Sequence, residues 1–97
     1  MKPHFVPAAS DELQEATRWY LEQGGTALAK RFQEAARSGV GSIGAMPMAG
    51  RPTEGGCRLW AMRRFPYTLV YRLRGQGIEV IAVAHHRREP GYWVVRT

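Results

Sequence analysis

The stretch Tyr67–His85, YTLVYRLRGQGIEVIAVAH, decides the fold. In its first half Tyr67, Leu69, Tyr71 and Leu73 alternate with Thr68, Val70 and Arg72, the period of two that marks a half-buried strand. Gly75-Gln76-Gly77 supplies the residues of a tight connection. From Val80 to Ala84 the chain is apolar on both faces, as a central strand covered by helix requires. Upstream, CRLWAMRRF (Cys57–Phe65) is rich in strand formers, and Pro66 marks the turn between it and Tyr67. Three strands joined by short turns predict an antiparallel meander.

Further upstream the period changes. Leu13, Ala16, Tyr20 and Leu21 recur at helical spacing, which predicts an amphipathic helix over residues 11–22. Ser10 has the side chain of an N-cap, and Asp11 and Glu12 place negative charge where the helix dipole favours it. Gly24 and Gly25 stop that helix and Thr26 caps the next, whose stripe is Leu28, Phe32, Ala36, Val40 and Ile43. It is expected to run firmly to about Ser38 and at its limit to Ile43, with Gly39 and Gly41 weakening its far end. Residues 44–56, GAMPMAGRPTEGG, have no periodicity and read as a loop. Met46 and Met48 there would either contact a partner or plug the core edge. Residues 2–6, KPHFV, read as a first strand with Pro3 at its start. The expected architecture is one α+β domain over residues 1–97. It has an N-terminal strand and an antiparallel two-helix hairpin packed on an antiparallel β-sheet.

The chain has 97 residues, 44% of them hydrophobic, enough for one modest core. A single cysteine, Cys57, makes no internal disulfide, and no run is long and apolar enough to span a membrane. The first ten residues lack the apolar stretch of a signal peptide, so a cytoplasmic location is expected. The net charge of +6 is unevenly placed. Through residue 57 six basic residues balance six acidic ones; beyond it stand eight arginines, no lysine, and only Glu79 and Glu89. Arginine pairs bidentately with phosphate or carboxylate and stacks on rings, so an anionic partner is implied: nucleic acid or an acidic protein segment. Solvated arginines on an open sheet face are the plainer explanation.

Candidate chemistry is sparse. His85 and His86 are adjacent on a strand and so point to opposite faces, which rules against their chelating one metal ion together. No phosphate-binding glycine pattern and no paired carboxylates are present, so neither a cofactor nor a metal is expected. The remaining signal is arginine interleaved with aromatics. Arg58, Trp60, Met62 and Arg64 share one strand face; Arg87 lies with His85, Arg88 with His86; Tyr92 and Trp93 follow a Pro90-Gly91 turn. Such sets suit phosphate contact with base stacking, and equally suit protein hot spots. Tyr92 and Trp93 could instead fold back to cap the core.

These residues carry a family likeness. The segment RRFPYTLVYRLRGQGIEVIAVAHHRREPGYW, with its FPY, its apolar V-Y strand and its H-x-R-x-P-x-x-W run, resembles the RelE/ParE superfamily of bacterial toxins. SDELQEATRWYLEQ and RFQEAA are similar to that family's first and second helices. The resemblance implies the toxin half of a two-gene type II toxin–antitoxin module, often on a plasmid, whose toxin is neutralised by a cognate antitoxin that wraps it. A toxin–antitoxin hetero-oligomer is the implied assembly. RelE-like members cut messenger RNA on the ribosome, whereas ParE-like members poison DNA gyrase. The nucleases commonly carry an arginine directly before L-V-Y; here that position is Thr68. The expected function is therefore a ParE-like toxin that inhibits growth by binding gyrase. The target-binding surface is expected to comprise Arg58, Arg63, Arg64, Arg87, Arg88, Tyr92 and Trp93. The alternative is a RelE-like endoribonuclease using His85, His86, Arg87, Arg88 and Tyr92. A second alternative is a module that binds antitoxin without being toxic.

Overall fold

The computed structural model describes residues 2–97. Strand β1 (His4–Phe5) leads into one helical run, α1 (Pro7–Ala45). Then follow β2 (Arg51–Pro52), a 3-10 turn (Glu54–Gly56), β3 (Arg58–Ala61), β4 (Tyr67–Arg74), β5 (Gly77–His85) and a closing 3-10 helix (Tyr92–Arg96). The five strands form one sheet in the order β1-β5-β4-β3-β2.

The class is α+β, but the expected architecture needs correction on two points. The sheet is mixed, because β1 runs parallel to β5, pairing His4 with Glu79 and Phe5 with Val80. A two-residue strand formed 75 positions away leaves no local mark of its direction. The helical part is one 39-residue run and not two helices separated by a joint and a Thr26 cap. Gly25, at φ 75° and ψ −170°, is its one non-helical residue. A straight helix would hold Tyr20 and Phe32 ~18 Å apart; their rings lie 4.9 Å apart, so the run bends sharply at this glycine. The helix also starts earlier than expected. Pro7 occupies its first turn, Val6 is the capping residue, and Ser10 gives its N–H to Val6 C=O inside the helix. It ends later, at Ala45, because Gly39 lies buried against Leu69 and Trp60 where a side chain would not fit.

The other expected strands form, and β3, β4 and β5 pair as an antiparallel meander. A bulge near Val70 and Tyr71 pairs Val70 with Ala82 and Tyr71 with Val80, leaving Ile81 unopposed. The bulge shifts the alternation of β5. Ile78, Val80 and Val83 therefore share the helix-side core with Leu69, Tyr71, Phe32, Ile43 and Tyr20. Ile81, Ala82 and Ala84 fall in a second cluster with Val70, Cys57 and Trp93. The closing 3-10 helix is thus a lid on the back of the sheet.

The 44–56 segment is more ordered than a loop reading implies. Tyr71 is fully buried; its hydroxyl donates to Pro47 C=O at 2.7 Å and accepts the Gly50 N–H at 3.0 Å. Arg58 donates to Met48 C=O and Gly50 C=O. Held this way, both Met46 and Met48 point outward, so neither plugs the core.

The bend provides a test. The backbone of Gly25 lies in a region that side chains avoid, so Gly25→Ala is expected to cost about 1–3 kcal/mol of stability. A shift of the urea unfolding midpoint at unchanged slope would register it.

Candidate functional site

Strand β5 ends at His85, and the Arg88 N–H bonds to the His85 C=O at 2.9 Å to close a turn. The two histidines keep the opposite-face placement expected of them, His85 against Tyr67 on the helix side and His86 beside Thr68 on the other. Even so, His85, His86, Arg87 and Arg88 all line one groove. Its far wall is the first half of α1, with Glu15, Arg18 and Trp19. Tyr67 and Tyr92 complete it.

The groove is held by a residue the sequence reading placed only in the first turn of the helix, as a charge favoured by its dipole. Glu12 stands beside the buried stripe Ala9, Ala16 and Tyr20, with its side chain 12% exposed. Its Oε1 accepts the Val83 N–H at 3.0 Å and an Arg96 N–H at 2.9 Å. Its Oε2 accepts the Tyr92 hydroxyl at 2.7 Å and a second Arg96 N–H at 3.0 Å. Arg96 also donates to Ile81 C=O, and Arg88 approaches Glu12 at 3.5 Å while lying 3.9 Å over the Tyr92 ring. Burial pushes the Glu12 carboxyl upward, but the hydrogen bonds from Arg96, Tyr92 and Val83 outweigh it and hold it below its ordinary value. Burial and the bond to Glu12 raise the Tyr92 phenol, so it stays protonated. The same carboxylate raises Arg96.

The histidines are engaged as well. His85 Nδ1 accepts the Arg87 N–H at 3.0 Å, and its ring meets Tyr67 edge-on. His86 Nε2 lies 3.0 Å from the Thr68 hydroxyl. Arg87 is exposed, and among the described residues its guanidinium has no partner.

The other expected site residues lie elsewhere. Arg58 is tied to Met48 and Gly50 as described above. Arg63 and Arg64 sit in the β3–β4 connection, on the rim of a second groove between β3 and the far half of α1. Trp93 is only 6% exposed and belongs to the back core, its Nε1 without a partner among the described residues. Its ring therefore caps the core and presents no anchor. Trp19, 53% exposed beside the basic turn, is the accessible aromatic that the sequence reading missed. Its adjacency to buried Tyr20 was the available signal. Among the described residues no three histidine, cysteine, aspartate or glutamate side chains are placed to hold a metal ion.

Comparison with known families identifies this arrangement. Residues 4–90 match the family described as ParE toxin of type II toxin-antitoxin system, parDE. The chain belongs to the ParE toxin family. The matched range takes in β1, α1, the whole sheet and the basic turn. A solved structure titled "Chromosomal ParDE TA system from P. aeruginosa" has the same fold, with a TM-score of 0.78 at 23% identity. The superposition covers 88% of this chain and 95% of that one. Comparison with curated proteins gave no match. Among the described residues no helix of this ParE-family chain is long and apolar enough to cross a membrane.

The Glu12 clamp predicts a pH signature. The carboxyl is lowered on folding, so its stabilisation is full above its ordinary value of 4.5 and is lost as pH falls through the lower folded value. Glu12→Gln is expected to cost about 1–3 kcal/mol at neutral pH. It should also flatten that acid limb when unfolding is followed by circular dichroism from pH 7 to pH 3.

Proposed function

We propose that this protein is the toxin half of a type II toxin–antitoxin module, neutralised by a protein antitoxin, and that it arrests growth by binding DNA gyrase. Family membership supports the toxin reading, and the likeness to a solved ParDE system supports an antitoxin partner. The observation that carries the choice of binding over cleavage is the commitment of the Tyr92 hydroxyl, the terminal aromatic of the basic end, to Glu12. Each histidine has one ring nitrogen held as well, His85 Nδ1 by the Arg87 amide and His86 Nε2 beside the Thr68 hydroxyl. General acid–base catalysis needs a group free to exchange a proton near neutral pH, and the raised Tyr92 phenol is poorly suited to it. The basic end also exposes charge and flat surface: the Arg87 guanidinium and the face of Trp19. Arg88 and Tyr92 form the fixed border between them. Arginine and tryptophan in this relation are the residue types that dominate protein hot spots.

The test is a pulse-label experiment after inducing the chain alone in bacteria. Thymidine incorporation is expected to fall before methionine incorporation. An Arg87→Ala variant, which leaves the Glu12 clamp untouched, should lose roughly tenfold or more in inhibition of purified gyrase, the equivalent of a hot-spot contact. Early loss of methionine incorporation would replace this reading with the ribosome-dependent nuclease.

A further inference from the structure

The groove at the basic turn is polarised from wall to wall. On the helix side Glu12, Glu15, Trp19 and Glu22 line it. Steps of three, four and three residues set them on one face of α1. Glu12 is occupied by Arg96, Tyr92 and Val83. Glu15 and Glu22 are exposed, and among the described residues neither carboxylate has a hydrogen bond or an ion pair. Seven residues apart, they stand ~10 Å from each other along the helix axis, with Trp19 between them. The Tyr67 phenol is raised by burial first, then by Tyr20 and Glu15, so the Glu15 charge bears on the groove.

The opposite wall is positive. Arg87 is exposed, with no partner for its guanidinium among the described residues, and Arg88 faces Glu12. Two free carboxylates across from a free arginine discriminate between partners. Nucleic acid carries a negative charge on every nucleotide, so phosphates drawn to Arg87 are repelled by the carboxylates of the same groove. A protein segment presents both signs at fixed positions and can satisfy both walls.

We infer that this groove takes a protein segment of mixed charge, its acidic side on Arg87 and its basic side on Glu15 and Glu22, and that these two carboxylates are specificity-determining residues that turn nucleic acid away. The inference rests on the target-binding reading above and deepens it by giving the contacted segment of the target a chemistry. Trp19, between the two carboxylates, supplies the flat apolar contact for that segment. A basic chain held by net charge alone would bind an anionic partner more tightly once carboxylates were removed. A groove that pairs both signs loses affinity for its protein partner instead.

The test compares inhibition of purified gyrase by the full chain and by a Glu15→Lys, Glu22→Lys variant. Binding of each to a fluorescent single-stranded oligonucleotide is measured beside it. An unchanged urea midpoint shows that the variant is folded, and Glu15→Gln, Glu22→Gln replaces it where the midpoint falls. The reversed variant is expected to inhibit roughly tenfold more weakly, although it is the more basic chain, and to gain affinity for the oligonucleotide. Gln14→Lys, on the same helix but outside the groove, should leave gyrase inhibition unchanged. Inhibition equal to or stronger than that of the unaltered chain overturns the inference and keeps the gyrase reading. Oligonucleotide binding that the reversal does not improve also overturns it. Growth arrest by the induced chains is scored in parallel. Arrest without gyrase inhibition removes the gyrase reading; the inference then stands if the reversal weakens arrest and falls if it does not. A chain that neither arrests growth nor inhibits gyrase removes both.

Discussion

One carboxylate organises the working end of this molecule. Glu12 takes a backbone N–H from the central strand, two N–H groups from Arg96 and the hydroxyl of Tyr92. Three separate parts of the chain thus meet at one side chain: helix, sheet and C-terminal lid. The arrangement also solves a problem of the sheet. Strand β1 accompanies β5 for only two residues, and the Val6 N–H to Val80 C=O bond ends that pairing. Beyond it, Val83 N–H and Ile81 C=O are taken by Glu12 and Arg96, so an ion pair continues where a strand stops. A half-buried charge is tolerated because its acceptor sites are used, the condition under which such pairs stabilise.

The placement of the basic turn follows from that anchorage. Arg88 is drawn towards Glu12 and over the Tyr92 ring, which leaves Arg87 as the outward cation. The excess of arginine in the second half of the chain therefore separates into different jobs. Arg58 ties down the Met46–Gly50 turn, Arg72 pairs with Glu79 across the β4–β5 hairpin, and Arg96 serves Glu12. Only part of the net positive charge faces a partner.

Much of the fold was legible where pattern is local. The alternation of β4 and the apolar run of β5 marked the meander, and the Gly24-Gly25 pair marked the place where the helical run bends. What was not legible depends on residues far apart. The direction of β1 is set by Val80, and the start of α1 by Pro7, while Ser10 and Asp11 imitate a cap four residues too late. The bulge at Ile81 reassigns faces along β5, which no strict alternation anticipates. At the site, the basic turn was visible as composition, but its geometry was not. Glu12 reads as an ordinary first-turn acid until Tyr92 and Arg96 are brought against it. Trp93 reads as an anchor until the back of the sheet is seen to need a cover.

The long reach of the Glu12 clamp has a consequence in time. Tyr92 and Arg96 lie 80 and 84 residues downstream of the carboxylate they serve. At 5–20 residues per second, a ribosome makes Tyr92 roughly 4–16 s after Glu12. Throughout that interval Glu12 has neither Tyr92 nor Arg96 to hold it, so the clamp cannot close. The groove bordered by the clamp is therefore assembled in one late step, long after the helix that forms its far wall.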